Sequence, residues 1–333
     1  MPNDVIPAGK LPAELLARLL DDLGPLPPEV LVGPGIGEDA CAIDVGAQAL
    51  LAASDPITFT SSEIGRSAVI VNANDVAVMG ARPRWFIATV LLPRGSSEAD
   101  VTRLFDDLRG ALAEVGARLV GGHTEVTDAV NRPVVVGHML GLVDADRVVA
   151  TSGARPGDQL VQIGAVPIEG AALLAREAGA RLDALDPATT RAAAAGIHVP
   201  GLSVVEPALA AAELGSTAMH DLTEGGLAGG LWEVAVAAGV ALRIDRDRVA
   251  WFQPGLEVCR AFGADPWATL ASGSLLAAFD PVVADRAVTA LTAAGYEATV
   301  IGIAEAGHGV YDRAGKQLEW PDRDEVARLL STD

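Results

Sequence analysis

Apolar and polar positions along this chain follow a helical period in some segments and a strand period in others. Residues 11–23, LPAELLARLLDDL, place leucines at helical spacing and stop at Gly24-Pro25. After the Pro-rich PLPPEV, CAIDV (41–45) and ALLAAS (49–54) predict two strands joined by a turn near Gly46. Residues 62–80 predict a helix, and WFIATVLLP (85–93) a buried strand. SSEADVTRLFDDLRGALAEVG (96–116) opens on a serine cap and closes on a glycine, an amphipathic helix. RLVGG and VVVGHMLGLV follow as strands. Gly153, Pro156 and Gly157 make ATSGARPGDQ (150–159) the best linker candidate.

After it the pattern restarts. DQLVQIG reads as a strand, the Ala-rich 168–214 region as helical pieces, and STAMHDL as a strand end. EGGLAGGLWEVAVAAG reads as a helix, ALRIDRD and SGSLLAAFD as strands, PVVADRAVTALTAAG as a helix and YEATVIGIA as a strand. Such alternation predicts an α/β (α+β) protein in two halves, divided as 1–152 and 153–333.

Composition narrows the function classes. The chain has 333 residues, 50% hydrophobic but only 4% aromatic, so its core must be built from Ala, Val and Leu. No apolar run reaches the roughly 18–20 residues of a membrane span. The start, MPNDVIPAGK, lacks a basic segment followed by an apolar one, so no secretory leader and a cytoplasmic location are expected. Cys41 and Cys259 are too few for a disulfide framework or a four-thiolate zinc site and are expected as buried thiols. The net charge is −20 and the only lysines are Lys10 and Lys316. Nucleic-acid backbone binding, which replaces counterions with cationic side chains, is therefore not expected. An anionic ligand would need divalent cations to bridge it to the acids.

Four segments join glycines to acids, amides or hydroxyls: GPGIGEDA (33–40), NANDVAVMGARP (72–83), GGHTEVT (121–127) and HDLTEGGL (220–227). Asn72, Asn74 and Asp75 stand together ahead of an apolar helical run, where a solvated helix has no need of them; Asp75 suits a hard cation or, more simply, a helix cap. Gly35-Ile-Gly37 nearly matches a dinucleotide fingerprint, but a Pro-rich loop precedes it, and Glu38 and Asp39 would repel phosphates. With a cation present, the glycines permit close backbone approach and Asp39 holds the metal; otherwise this is an ordinary glycine turn. Asp55, in SDPITF (54–59), ends an apolar strand as a functional group or as a turn residue before Pro56. His123 and Glu125 can contact a metal and Thr124 can donate to phosphate, or the segment is a glycine bend; zinc lacks a full ligand set. Asp221 faces a cation or caps a helix, with Thr223 and Glu224 ahead of a helix N-terminus open to an anion. No GxxxxGK[ST] loop and no GxSxG elbow occur, and neither cysteine has an obvious partnered histidine.

In this order the four motifs resemble the superfamily that unites aminoimidazole-ribonucleotide synthetase, selenophosphate synthetase, thiamine-monophosphate kinase and the hydrogenase-maturation protein HypE. The likeness runs from about Lys10 to Asp280 and is specific in GIGEDA, NANDVAVMGARP and MHDLTEGGLAGGLWEVA. GKLPAELLARLL and FGADPWATLASGSLLAAF look HypE-like. The resemblance implies an enzyme that uses MgATP to phosphorylate an oxygen of a small or peptide-borne substrate. It also implies a homodimer whose N-terminal sheets pair into a shared barrel, with ATP near that interface and a C-terminal α/β sandwich beyond it. By motif, Asp39, Asp55 and Asp75 look like Mg²⁺ ligands, and Gly35 and Gly37 like phosphate-loop residues. Asn72, Thr124 and Glu224 join the nucleotide site, and His123 or Asp221 orients the acceptor.

Two departures modify this picture. The Gly-Gly-Asp-Thr of HypE-like and kinase-like members reads Gly121-Gly122-His123-Thr124, as in selenophosphate synthetases. HypE ends in a cysteine that carries the carbamoyl group, whereas this chain ends STD and its last cysteine is Cys259, so a different acceptor is expected. The alternatives are a small-metabolite kinase resembling thiamine-monophosphate kinase and a non-catalytic nucleotide-binding partner protein. Lys10 is expected to be exposed, or else to reach a phosphate.

Overall fold

The computed structural model describes residues 6, 9–58, 63–177, 182 and 185–330. Phe59, the start of the expected helix at position 62, part of the 168–214 region and the terminal STD lie outside the described residues.

The first half runs α1 (Ala13–Asp21), β1 (Val30–Val32), β2 (Cys41–Asp44), β3 (Gln48–Ile57), α2 (Ile64–Val78), β4 (Arg82–Pro93), α3 (Glu98–Val115), β5 (Arg118–Thr127) and β6 (Val134–Asp144). Its strands form one sheet in the order β1-β2-β3-β6-β4-β5, antiparallel except for the parallel pair β4–β5. The second half runs β7 (Gln159–Ile163), α4 (Glu169–Glu177), α5 (Pro187–Ala194), α6 (Val205–Glu213), β8 (Ala218–Asp221), α7 (Gly226–Ala238) and β9 (Val240–Ile244). It continues through α8 (Gln253–Phe262), β10 (Leu275–Phe279), α9 (Pro281–Ala293), β11 (Ala298–Ala306), β12 (Gly309–Asp312) and α10 (Glu325–Leu330). The second sheet is ordered β12-β9-β11-β7-β10-β8, with β12–β9 its parallel pair. The mixed α/β class read from the sequence is what the chain adopts.

Local chemistry explains the elements that were legible. In α3, Ser97 accepts from the Asp100 N–H and its own N–H donates to Asp100 Oδ2, a reciprocal cap worth about 1 kcal/mol. The helix buries Leu104, Leu108, Ala111, Leu112 and Val115 on one stripe and ends at Gly116 in the left-handed region. Other elements escaped the pattern. Strands β1 and β12 are three and four residues long and owe their extension to partners β2 and β9. Helix α8 opens with Gln253-Pro254-Gly255, which reads as a loop, yet Pro254 occupies the first turn, where its missing N–H costs nothing.

Helix α2 organises the whole molecule. All its residues but Arg66 are buried, because it packs on β3, β6 and α3 of its own half and on α6 and β8 of the other. One continuous core joins Val69, Val76 and Phe86 of the first half to Val205, Met219 and Phe279 of the second. Asn74 secures this junction: its Nδ2 donates to Leu202 O at 2.9 Å and its Oδ1 accepts from Val204 N at 2.9 Å. Among the described residues no single helix is long and apolar enough to cross a membrane.

Candidate functional site

Where α2 meets the second half, carboxylates from both halves gather. Asp75 comes from α2, Asp55 from β3, Asp39 from the 33–40 loop and Asp221 from the end of β8. Asp75 and Asp221 are only 4% and 2% exposed, and each leaves its Oδ2 without a hydrogen-bond partner. Burial drives the Asp75 carboxyl well above the usual carboxylate range, and repulsion from Asp221, Asp55 and Asp39 adds to it. Burial likewise raises Asp221, with Asp39 reinforcing the shift and His220 opposing it. Asp55 is raised by burial against the pull of Lys10. An ionised carboxylate costs several kcal/mol to bury alone, so this group is stable only protonated or facing a positive charge.

The chain supplies some of that charge. His220 is 3% exposed and sits between two acids: Nδ1 lies 2.7 Å from Asp39 Oδ1, off the line of a well-aligned hydrogen bond, and Nε2 lies 3.0 Å from Glu233 Oε2. Burial disfavours the imidazolium, but Asp39 and Glu233 together outweigh it and hold His220 protonated well above its ordinary range. Glu233 is penalised by burial yet ends near pKa 2, because Lys10 and His220 both favour its charge. Lys10 Nζ lies 3.1 Å from Glu233 Oε1 and 3.4 Å from Thr223 Oγ1, while its backbone N–H donates to Glu224 Oε2 at 3.2 Å. Half exposed as expected, Lys10 is nonetheless engaged by three side chains. Among the described residues, no positive group is paired in the same way with the free Oδ2 atoms of Asp75 and Asp221.

Each remaining predicted residue has a definite place. Asn72 spends its amide on structure: Oδ1 accepts from Asp55 N at 2.8 Å, and Nδ2 donates to Asp55 O at 3.2 Å and Ala68 O at 2.9 Å. It therefore holds the backbone that carries the Asp55 carboxyl. Gly37, with φ +82°, lets the 33–40 loop approach α7; a Cβ there would meet Glu233 O at 2.7 Å. Gly35 lies on the exposed part of that loop. Glu224 precedes α7, raised by burial and opposed by Lys10. Three amides at the N-terminus of α7 have protein partners: Gly225 N donates to Asp324 Oδ2 at 2.8 Å, Gly226 N to Thr223 O and Ala228 N to Trp267 O.

His123 and Thr124 lie elsewhere, exposed on β5, where His123 Nε2 faces Glu125 Oε2 at 3.4 Å. His123 pairs with Thr89, which pairs with Val136, which pairs with Pro56 beside Asp55. Three strand spacings, roughly 14 Å, thus separate His123 from the acids within one chain. Sequence reasoning missed His220 as a working group and missed Glu233 altogether. The available signal was Glu233 itself, the one charged residue in the apolar run GLAGGLWEVAVAAG.

Among the described residues no three histidine, cysteine or acidic side chains converge as a closed ligand set for one ion. The donor set itself fits a hard divalent cation, being made of carboxylate oxygens and including two buried, unpartnered ones on Asp75 and Asp221.

The chain matches the AIR synthase related protein N-terminal domain over residues 37–143 and the corresponding C-terminal domain over 155–313. It belongs to the AIR synthase-related family. Within that family it is similar to the carbamoyl dehydratase HypE of Rhodobacter capsulatus, 30% identical over 76% of this chain and 73% of the relative. The HypE carbamoyl dehydratase of Cupriavidus necator is 28% identical over 89% of this chain and 86% of its own length. A crystal structure of the hydrogenase maturation protein HypE in complex with ATP shares the fold, with a TM-score of 0.70 and 23% identity over 89% of this chain and 92% of that one.

Proposed function

We propose that this chain is a HypE-like, ATP-dependent enzyme that activates a substrate oxygen by phosphoryl transfer. The observation that carries this reading is the pair of buried, unpartnered carboxylate oxygens on Asp75 and Asp221, one from each half, in the company of Asp39 and Asp55. Asp39, Asp55 and Asp75 hold Mg²⁺, and Asp221 and Glu224 close the site from residues 153–333. Asn72 fixes Asp55, while Gly35 and Gly37 let the 33–40 loop come close to phosphate. A divalent cation here supplies neutralisation of the phosphate charge that these acids would otherwise repel. The chain's own part is to position phosphate and acceptor, with Asp221 placed to orient the acceptor oxygen.

The relatives' activity points to an amide-type acceptor whose phosphorylated oxygen departs as phosphate. A kinase would instead release a stable phosphorylated product, so free phosphate with a dehydrated product separates the two. Homodimerisation through the first sheet brings β5, with His123 and Thr124, to a second copy. The test is calorimetric titration of ATP with and without Mg²⁺ on wild type and Asp75→Ala. Binding should require Mg²⁺ and weaken about 100-fold or more in the variant. Equal affinities would overturn the metal–phosphate assignment.

A further inference from the structure

We propose that His220 is a positioning residue for this site: it sets Asp39 from the opposite half of the chain and ties it, through Glu233, to Lys10. The inference rests on the metal–phosphate reading above. Asp39 belongs to a glycine loop with little structure of its own, and its partners decide where the carboxylate points. Besides His220 it has Thr151, whose hydroxyl lies 3.4 Å from Asp39 Oδ2 but 2.9 Å from Met219 O. A hydroxyl has one proton to donate, and the shorter, better bond takes it. His220, whose Nδ1 lies 2.7 Å from Asp39 Oδ1, is therefore the close charged partner of Asp39, by contact rather than by a well-aligned hydrogen bond.

The imidazole is itself fixed. Both ring nitrogens face carboxylates, so rotation breaks one contact or both. Its backbone is paired with Leu276 in the second sheet, and Gly230 of α7 lies against the ring, where a Cβ would come within 3.4 Å of Cδ2. The outer carboxylate, Glu233, sits on α7, the helix that Gly37 of the same loop touches. Asp39, His220, Glu233 and Lys10 thus form one chain of contacts that crosses from the first half to the second and returns to the N-terminal segment. A carboxylate held in this way is ready for its cation only when the two halves are packed together.

Two amide substitutions separate this role from simple charge compensation. Asn places its side-chain nitrogen near the position of Nδ1, facing Asp39; Gln places one near Nε2, facing Glu233. Neither carries a charge. The measurement is Mg²⁺-dependent ATP affinity by calorimetry on wild type, His220→Asn, His220→Gln and Asp75→Ala, with thermal melting of each. Positioning predicts that His220→Asn stays within about 3-fold of wild type while His220→Gln loses about 10- to 100-fold. Equal losses in the two His220 variants, or no loss in either, would overturn the proposal. If His220→Gln does not fold, a folded His220→Asn protein with affinity reduced more than 10-fold overturns it equally. The Asp75→Ala arm identifies which idea fails. A large loss there with indistinguishable His220 variants sinks only the positioning role, whereas no loss there sinks the site and this inference together.

Discussion

Strands β5 and β8 are the last strands of their respective sheets, and each carries a histidine close to an acid. On β5, His123 is 66% exposed and its one charged neighbour, Glu125, is in solvent with it. On β8 every residue is buried, and His220 touches two carboxylates. The difference lies in what covers each edge. Helices α2 and α7 close over β8, so its polar groups must find partners from distant parts of the chain. Among the described residues β5 meets chiefly β4 and part of α3, nearly all of its residues are exposed, and water can satisfy whatever they carry. A motif of glycine, histidine and acid therefore becomes a site only where the fold removes the water.

Exposure of β5 invites the first test. Among the described residues it pairs only with β4, and Leu119, Val120 and Val126 are exposed along it. Long apolar edges of this kind are normally covered by another chain. If a second copy covers β5, Val120→Asp places a charge in each half of a symmetric interface. The dimer should weaken by about 3 kcal/mol, near 100-fold in dissociation constant, read by sedimentation equilibrium. An unchanged dimer would mean that β5 stays in water and that the contrast with β8 is intrinsic to each protomer.

What the sequence revealed follows the same division. Asp39, Asp55, Asp75 and Asp221 stood out because acids in apolar surroundings are conspicuous whatever the fold. Their arrangement was not legible, since Lys10 meets Glu233 across 223 positions and only the completed fold joins them. Asn72 was read as a ligand candidate because a buried amide and a ligating amide look alike in a sequence. In the structure its amide hydrogen-bonds the backbone of Asp55 and Ala68. The strands and helices with strong periods were readable, while β1, β12, α8 and α10 depend on contacts made elsewhere.

A smaller effect probes the covered side. Asp324 accepts from Gly225 N, just after β8, and from Val326 N. Burial dominates its titration and lifts it from 3.8 to about 7 despite these bonds. Its folded-state proton is thus held more tightly than in the unfolded chain. Its contribution to stability is fully present below about pH 4 and is lost as pH rises through about 7. At roughly 1.4 kcal/mol per pKa unit, the loss is on the order of 2–4 kcal/mol. Asp324→Asn should flatten this decline in melting curves between pH 4.5 and 8 at fixed ionic strength. A decline as steep as in wild type would mean that Asp324 ionises freely and that burial after β8 is looser than the geometry indicates.

The smallest expected effect belongs to His123. Its contact with Glu125 is between two exposed side chains, a kind of pair worth about 0–1 kcal/mol. Both lie on the same strand two residues apart, so the contact holds no other element in place. His123→Ala should therefore change stability by no more than about 0.5 kcal/mol, or a degree or two in melting temperature. Mg²⁺-dependent ATP binding adds the sharper reading. If a partner copy folds β5 toward its own acids, the same substitution will leave the melting curve nearly still and lower nucleotide affinity. That outcome would show that an exposed edge can join a buried site by assembly, where β8 reaches the same end by folding. If neither quantity moves, the histidine of β5 is a surface residue and the site belongs to β8 and its neighbours alone.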